Sequence, residues 1–163
     1  MIHDLPGLLR TRTIGWTPIC RLHLSPTFEQ VRQTLARLTL ALDRAGVQAG
    51  DLGIVELVMA EVLNNLTEHA FLGRANGAIR LRAEHDGARL RILLRDNGSP
   101  LPGARLPAGV CPSADGLVED LPEGGFGWHL IRSLTSDLAY RSGAGWNELR
   151  VVIPLGANLS RDG

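Results

Sequence analysis

Two strand-like runs joined across Asp86-Gly87 constrain this chain most. Ala78 to His85 (AIRLRAEH) alternates apolar and charged positions, and Leu90 to Arg95 (LRILLR) follows beyond the Asp-Gly. Asp-Gly suits the positive φ angles of a tight hairpin turn, so the spacing predicts two antiparallel strands. A second hairpin is predicted from Leu138–Arg141 and Glu148–Pro154, joined by the Gly-rich turn SGAGWN. Pro18 to Leu24 (PICRLHL) predicts a further strand.

Helical patterns fill the remainder. Ser25-Pro26 predicts a helix start, with Ser as N-cap and Pro as first helical residue. That helix is expected to run to about Ala45 and stop at Gly46. A second is expected from about Asp51 to Phe71, with Val55, Val58, Met59, Val62 and Leu66 as one apolar stripe. A third is expected from about Gly127 to Thr135. Between Gly98 and Glu123 the chain is rich in Pro and Gly without periodicity. So long a loop in a compact domain points to function or disorder. The order predicts an α+β fold: a two-layer α/β sandwich, with a mixed, mostly antiparallel sheet covered on one face by helices. We expect one domain over 18–155, an N-terminal extension over 1–17 and a tail over 156–163.

Composition excludes several classes. Hydrophobic residues are 44% and charged residues 21% of 163, which reads as globular and soluble. Lys plus Arg equals Asp plus Glu at 17 each, for a formal net charge of zero. No basic surplus exists to capture nucleic acid, and 4% aromatics give few stacking platforms. Cys20 and Cys111 fit no metal or redox spacing and read as reduced thiols of a cytoplasmic protein. Nothing reads as a membrane span or a signal peptide. Trp16, Trp128 and Trp146 are read as core.

Three motifs carry chemistry. Glu61, Asn65 and His69 stand four apart in EVLNNLTEHA and form a slowly drifting row on an ideal helix. A carboxylate there suits a general base, and an amide oxygen suits Mg2+; taken alone, the row reads as a solvated helix edge. Asp96 ends an apolar strand before Asn97-Gly98. It is placed to accept from an amino group such as adenine's, although Asp-Asn-Gly is also an ordinary turn. Gly124-Gly125-Phe126-Gly127 opens the third helix, where free N–H groups favour phosphate; alone it is a hinge. The absence of a lysine there rules out a Walker-type P-loop. No GxGxxG follows the first strand and no GxSxG elbow occurs, which excludes Rossmann and serine-hydrolase readings.

Taken together, the motifs resemble the GHKL, or Bergerat-fold, ATPases and kinases, and within them the bacterial anti-sigma-factor serine kinases (switch-protein kinases). The Glu-x-x-x-Asn-x-x-x-His box is matched by Glu61, Asn65 and His69. Asp-x-Gly-x-Pro is matched by Asp96, Gly98 and Pro100. Gly-Gly-x-Gly followed by Leu-Ile-Arg is matched at Gly124, Gly125, Gly127, Leu130, Ile131 and Arg132. Asp137-x-x-Tyr140 and Gly145-x-Asn147-x-Leu149 are similar to the family's ending. Trp128 departs from it, standing where a smaller aliphatic residue is usual. The resemblance covers about Pro18 to Leu155.

The resemblance implies ATP held by Asn65, His69, Asp96, Gly98, Gly124, Gly125, Phe126, Gly127, Trp128 and Asn147. It implies Mg2+ on Asn65, adenine read by Asp96, Glu61 as catalytic base and the loop 98–123 as a cover over ATP. The implied activity is that of a serine/threonine kinase, here a homodimer. It would sequester a sigma factor or other regulator and phosphorylate a small anti-sigma antagonist. A non-catalytic sequestering module is the alternative. A histidine-kinase catalytic domain would need an upstream helical hairpin, for which 1–17 is too short.

Overall fold

β1 (Thr17–Leu24) leads into α1 (Phe28–Arg44) and α2 (Ala49–Asn65), and α2 continues into a single π turn (Leu66–Ala70). The hairpin β2 (Ile79–His85) and β3 (Arg89–Asp96) follows, then a short 3-10 turn (Pro102–Ala104), α3 (Gly125–Leu134) and the hairpin β4 (Asp137–Gly143) and β5 (Trp146–Pro154). The computed structural model describes residues 15–72, 76–109 and 125–156. Most of the N-terminal extension, the tail beyond 156, Cys111, Gly124 and the larger part of loop 98–123 lie outside the described residues.

The five strands are ordered β1-β2-β3-β5-β4. Every pairing is antiparallel, so the sheet is not mixed as expected. The chain path explains this. With two helices between them, the path from β1 to β2 turns back three times, and an odd number of turns returns the chain antiparallel. α3 makes β3 and β4 run the same way, but β5 inserts between them.

Alternation sorts the sheet into two faces. Leu22, Leu81, Ile92, Leu94, Val151 and Ile153 face the helices and are buried with Leu38, Leu42, Val58 and Met59. The predicted stripe Val55, Val58, Met59, Val62 and Leu66 is buried throughout, and it seats α2 on the sheet. The other face carries charge. Glu84 lies between Arg82 (2.8 Å) and Arg91, and Glu148 pairs with Arg141.

Three local expectations are corrected. α1 is capped by Thr27, whose hydroxyl accepts from Gln30 N at 3.2 Å, and not by Ser25. β1 stays paired through Leu24↔Ile79, so Ser25 and Pro26 are used in turning off the sheet. α2 begins two residues before Asp51 without a side-chain cap; Asp51 is buried and accepts from Gly156 N at 2.8 Å. Of the three tryptophans only Trp128 is core. Trp16 lies beneath Arg91, 4.1 Å from its ring centroid, and Trp146 beneath Arg95 at 4.6 Å. Both tryptophans stand on the arginine face, because Trp146 immediately precedes the core-facing Asn147.

Candidate functional site

Asp96 ends β3 on the core face and is 2% exposed. Its Oδ1 accepts from Gly98 N and from Asn147 Nδ2, both at 2.9 Å. Among the described residues its Oδ2 accepts from none. Burial pushes the carboxyl above the ordinary aspartate value of 3.8, and the two hydrogen bonds offset this only in part. The register sets this up: Asp96 and Asn147 are direct cross-strand partners.

Asn147 is a hub. Besides Asp96, its Nδ2 reaches the carbonyls of Gly98 (3.1 Å) and Ser99 (3.4 Å). Its Oδ1 accepts from the Tyr140 hydroxyl at 3.1 Å, and that hydroxyl accepts from Leu101 N at 2.9 Å. The motif reading gave Tyr140 no role at the site. The alternation of β4 was the available signal, since it puts Tyr140 on the core face opposite Leu149.

Gly98 is buried for a steric reason. A Cβ there would stand 2.7 Å from both Ala70 Cβ and the Ala70 carbonyl oxygen. Ser99 N donates to that same oxygen at 2.7 Å, so the π turn and the strand-end loop touch backbone to backbone.

Glu61 and Asn65 sit half-buried on α2 beside its apolar stripe. Asn65 Nδ2 donates to the Glu61 carbonyl at 2.8 Å, which leaves Oδ1 as the amide's acceptor. His69 departs from the ideal-helix row, because the π turn widens the helix after Asn65. Its side chain is exposed, 3.9 Å from Glu68.

Gly125-Phe126-Gly127-Trp128 forms the first turn of α3. A Cβ at Gly127 would lie 2.5 Å from Glu61 Oε2 and 3.5 Å from Asn65 Nδ2, so this turn rests directly on the α2 pair. Phe126 is 57% exposed and turns outward toward His129, with ring centroids 6.5 Å apart.

A cavity of about 490 Å³ opens between these elements. Val62, Leu66, Trp128 and Leu149 give it apolar walls, and Asn65, His69, Asp96, Asn147 and Tyr140 supply polar groups. The loop at Ser99–Pro102 with Pro107 forms one side, and Arg132 Nε holds the Pro107 carbonyl at 2.9 Å. Of the predicted residues, Asn65, His69, Asp96, Trp128 and Asn147 line this space. Glu61 and Gly127 meet beside Asn65, Gly98 supports the floor, and Phe126 is outside the lining. Among the described residues no three His, Cys, Asp or Glu cluster as a metal site, and no helix is long and apolar enough to cross a membrane.

The histidine kinase-like ATPase domain matches residues 24–153. The serine-protein kinase RsbW of Bacillus mycoides is 31% identical over 107 residues, 64% of this chain and 66% of its own length. The serine/threonine-protein kinase BtrW of Bordetella bronchiseptica is 29% identical over 92 residues, 56% of this chain and 63% of its own length. Blue-light-activated histidine kinase 2 of Erythrobacter litoralis is 33% identical over 67 residues, covering 40% of this chain but 19% of its own length. The chain therefore spans less than two thirds of one of these relatives after another, from about a fifth upward. A solved structure of RsbU and RsbW domains from Mycobacterium tuberculosis superposes with a TM-score of 0.55 at 18% identity, over 83% of this chain and 32% of that one. That likeness bears on the fold alone. By the length of the domain match, and with a fold and ordered motifs that agree, this chain belongs to the histidine kinase-like ATPase domain family.

Proposed function

We propose that the cavity binds Mg-ATP and that residues 18–155 act as a serine/threonine kinase of the partner-switching kind. One observation carries this reading. A single apolar cavity holds a buried carboxylate with one unpaired oxygen and an asparagine with a free amide oxygen, beside a glycine-lined helix start. Those donors fit the ligand: an acceptor for the adenine amino group, apolar walls for its ring, and N–H groups for phosphate. Mg2+ needs little from the protein, because it keeps waters and takes phosphate oxygens; Asn65 Oδ1 would be its protein ligand.

When bound, Mg-ATP supplies the phosphoryl group and the charge neutralisation that transfer requires. The chain's own residues bind and orient. Asp96 Oδ2 accepts from the adenine amino group. Trp128 and Leu66 exclude water from the ring. Gly125 and Gly127 leave the α3 amides uncovered. Glu61 takes the proton from the attacking serine hydroxyl of a partner protein. In this reading the partner is a small anti-sigma antagonist. A sigma factor or similar regulator is the sequestered protein, and the kinase works as a homodimer in the cytoplasm.

The test is transfer of radiolabel from ATP to a co-purified partner. Glu61→Gln keeps size and polarity but takes no proton. It is expected to bind ATP and partner normally while transfer falls about 10²–10⁴-fold. Wild-type transfer by this variant would show that Glu61 is not the base. Tight partner binding by the wild type without any labelling would replace the kinase by a sequestering module.

A further inference from the structure

Tyr140 belongs to the edge strand β4, yet its hydroxyl lies inside the hydrogen-bond system of the cavity. It accepts from Leu101 N at 2.9 Å and donates to Asn147 Oδ1 at 3.1 Å. Asn147, 3% exposed, passes the order on through Nδ2 to Asp96 Oδ1 at 2.9 Å and to the carbonyls of Gly98 and Ser99. The loop 98–101 is thereby clasped at Gly98, Ser99 and Leu101 by two side chains of one hairpin. Among the described residues, every polar atom of this relay is used except Asp96 Oδ2. Burial raises the Tyr140 hydroxyl above its usual 10.0, so it stays a donor at neutral pH.

We propose that Tyr140 is a specificity-determining positioning residue: it holds Asn147 and the loop 98–101 so that Asp96 presents one fixed, unpaired carboxylate oxygen to the ligand ring. A fixed acceptor welcomes an amino group and repels a carbonyl at the same ring position. Sites built around such a hydrogen bond discriminate strongly, because the mismatched ligand leaves a buried group unpaired. Without the hydroxyl, Asn147 Oδ1 loses its donor and Leu101 N–H its acceptor. The Asp96 carboxylate then gains freedom to turn and take water, and a carbonyl is tolerated. The inference rests on the nucleotide reading of this cavity.

The experiment measures binding of ATP and of ITP, which carries a carbonyl where ATP carries the amino group, by calorimetry with Mg2+ on the full chain. Wild type is expected to prefer ATP by about 10²-fold or more. Tyr140→Phe is expected to lower the ATP-to-ITP ratio about tenfold, the size of one lost hydrogen bond. A purely structural role would lower the melting temperature and leave the ratio alone. Should Tyr140→Phe not fold, Asn147→Leu removes Tyr140's acceptor and carries the same test, with a ratio reduced at least as far. A wild-type ratio in either folded variant overturns the proposal while leaving the nucleotide site intact. A wild type that binds neither nucleotide overturns the nucleotide reading and this inference with it.

Discussion

The Asp96 carboxyl is buried, and its burial outweighs the hydrogen bonds from Asn147 and Gly98, so its pKa is raised above 3.8. Relative to the unfolded chain, folding therefore favours the neutral acid. That preference stabilises the fold fully below the ordinary value of 3.8, and it is lost as pH rises through the raised folded value. Above that window the buried charge opposes folding. Asp96→Asn removes the charge while an amide oxygen still accepts from both donors. At neutral pH and without ligand, this variant is expected to melt a few degrees above wild type. The gap should close as the pH falls toward about 4. The same substitution turns an acceptor into a donor, so ATP binding should fall at least about tenfold. Calorimetric melting of both proteins across pH checks the first expectation; a gap that does not change with pH would refute it. Asp96 was legible in the sequence as a strand-end carboxylate. Its unpaired oxygen was not, because that depends on Asn147, 51 residues away.

At the scale of elements, the contact between the π turn and the strand-end loop decides the shape of the cavity floor. Ala70 ends the turn, and its carbonyl accepts from Ser99 N at 2.7 Å. Only a residue without a side chain lets the two backbones approach so closely. Gly98→Ala would set a Cβ 2.7 Å from that carbonyl, so one of the two backbones must shift. The expected cost is about 1–3 kcal/mol of stability, together with weaker ATP binding because Ser99 and Leu101 shift. Urea denaturation with nucleotide titration measures both; full stability in Gly98→Ala would mean that the loop relaxes freely. The helix itself was readable from the stripe Val55 to Leu66. Its change to a π turn was not, since the apolar pattern continues through Leu66 and Ala70 while the loop across the cavity sets the local pitch. Likewise the sequence marked Ser25 as the cap, and the length of the β1 pairing, through Leu24, moved it to Thr27.

Over the whole molecule, the sheet separates two faces of different chemistry. Its core face carries the helices and the cavity, and its outer face carries rows of arginine and glutamate. Glu84 is 1% exposed between Arg82 and Arg91, so removing its charge leaves two guanidinium groups without their buried counter-ion. Glu84→Gln is expected to cost on the order of 3 kcal/mol of stability and to leave ATP affinity unchanged, because the cavity lies on the opposite face. Denaturant melts and calorimetry on one preparation check this. A parallel loss of affinity would show that the two faces are coupled. The sequence by itself determined the strands, both hairpins, the helix stripe and the order of the three motifs. Those features rest on side-chain period and turn chemistry, which act within one helical turn or one strand. The tertiary structure alone decided that all pairings are antiparallel, that Trp16 and Trp146 lie under arginines, and that Tyr140 and Asn147 complete the site around Asp96. These depend on which distant strands become neighbours, and in which register. No short-range pattern specifies that pairing until the chain has folded and buried its core.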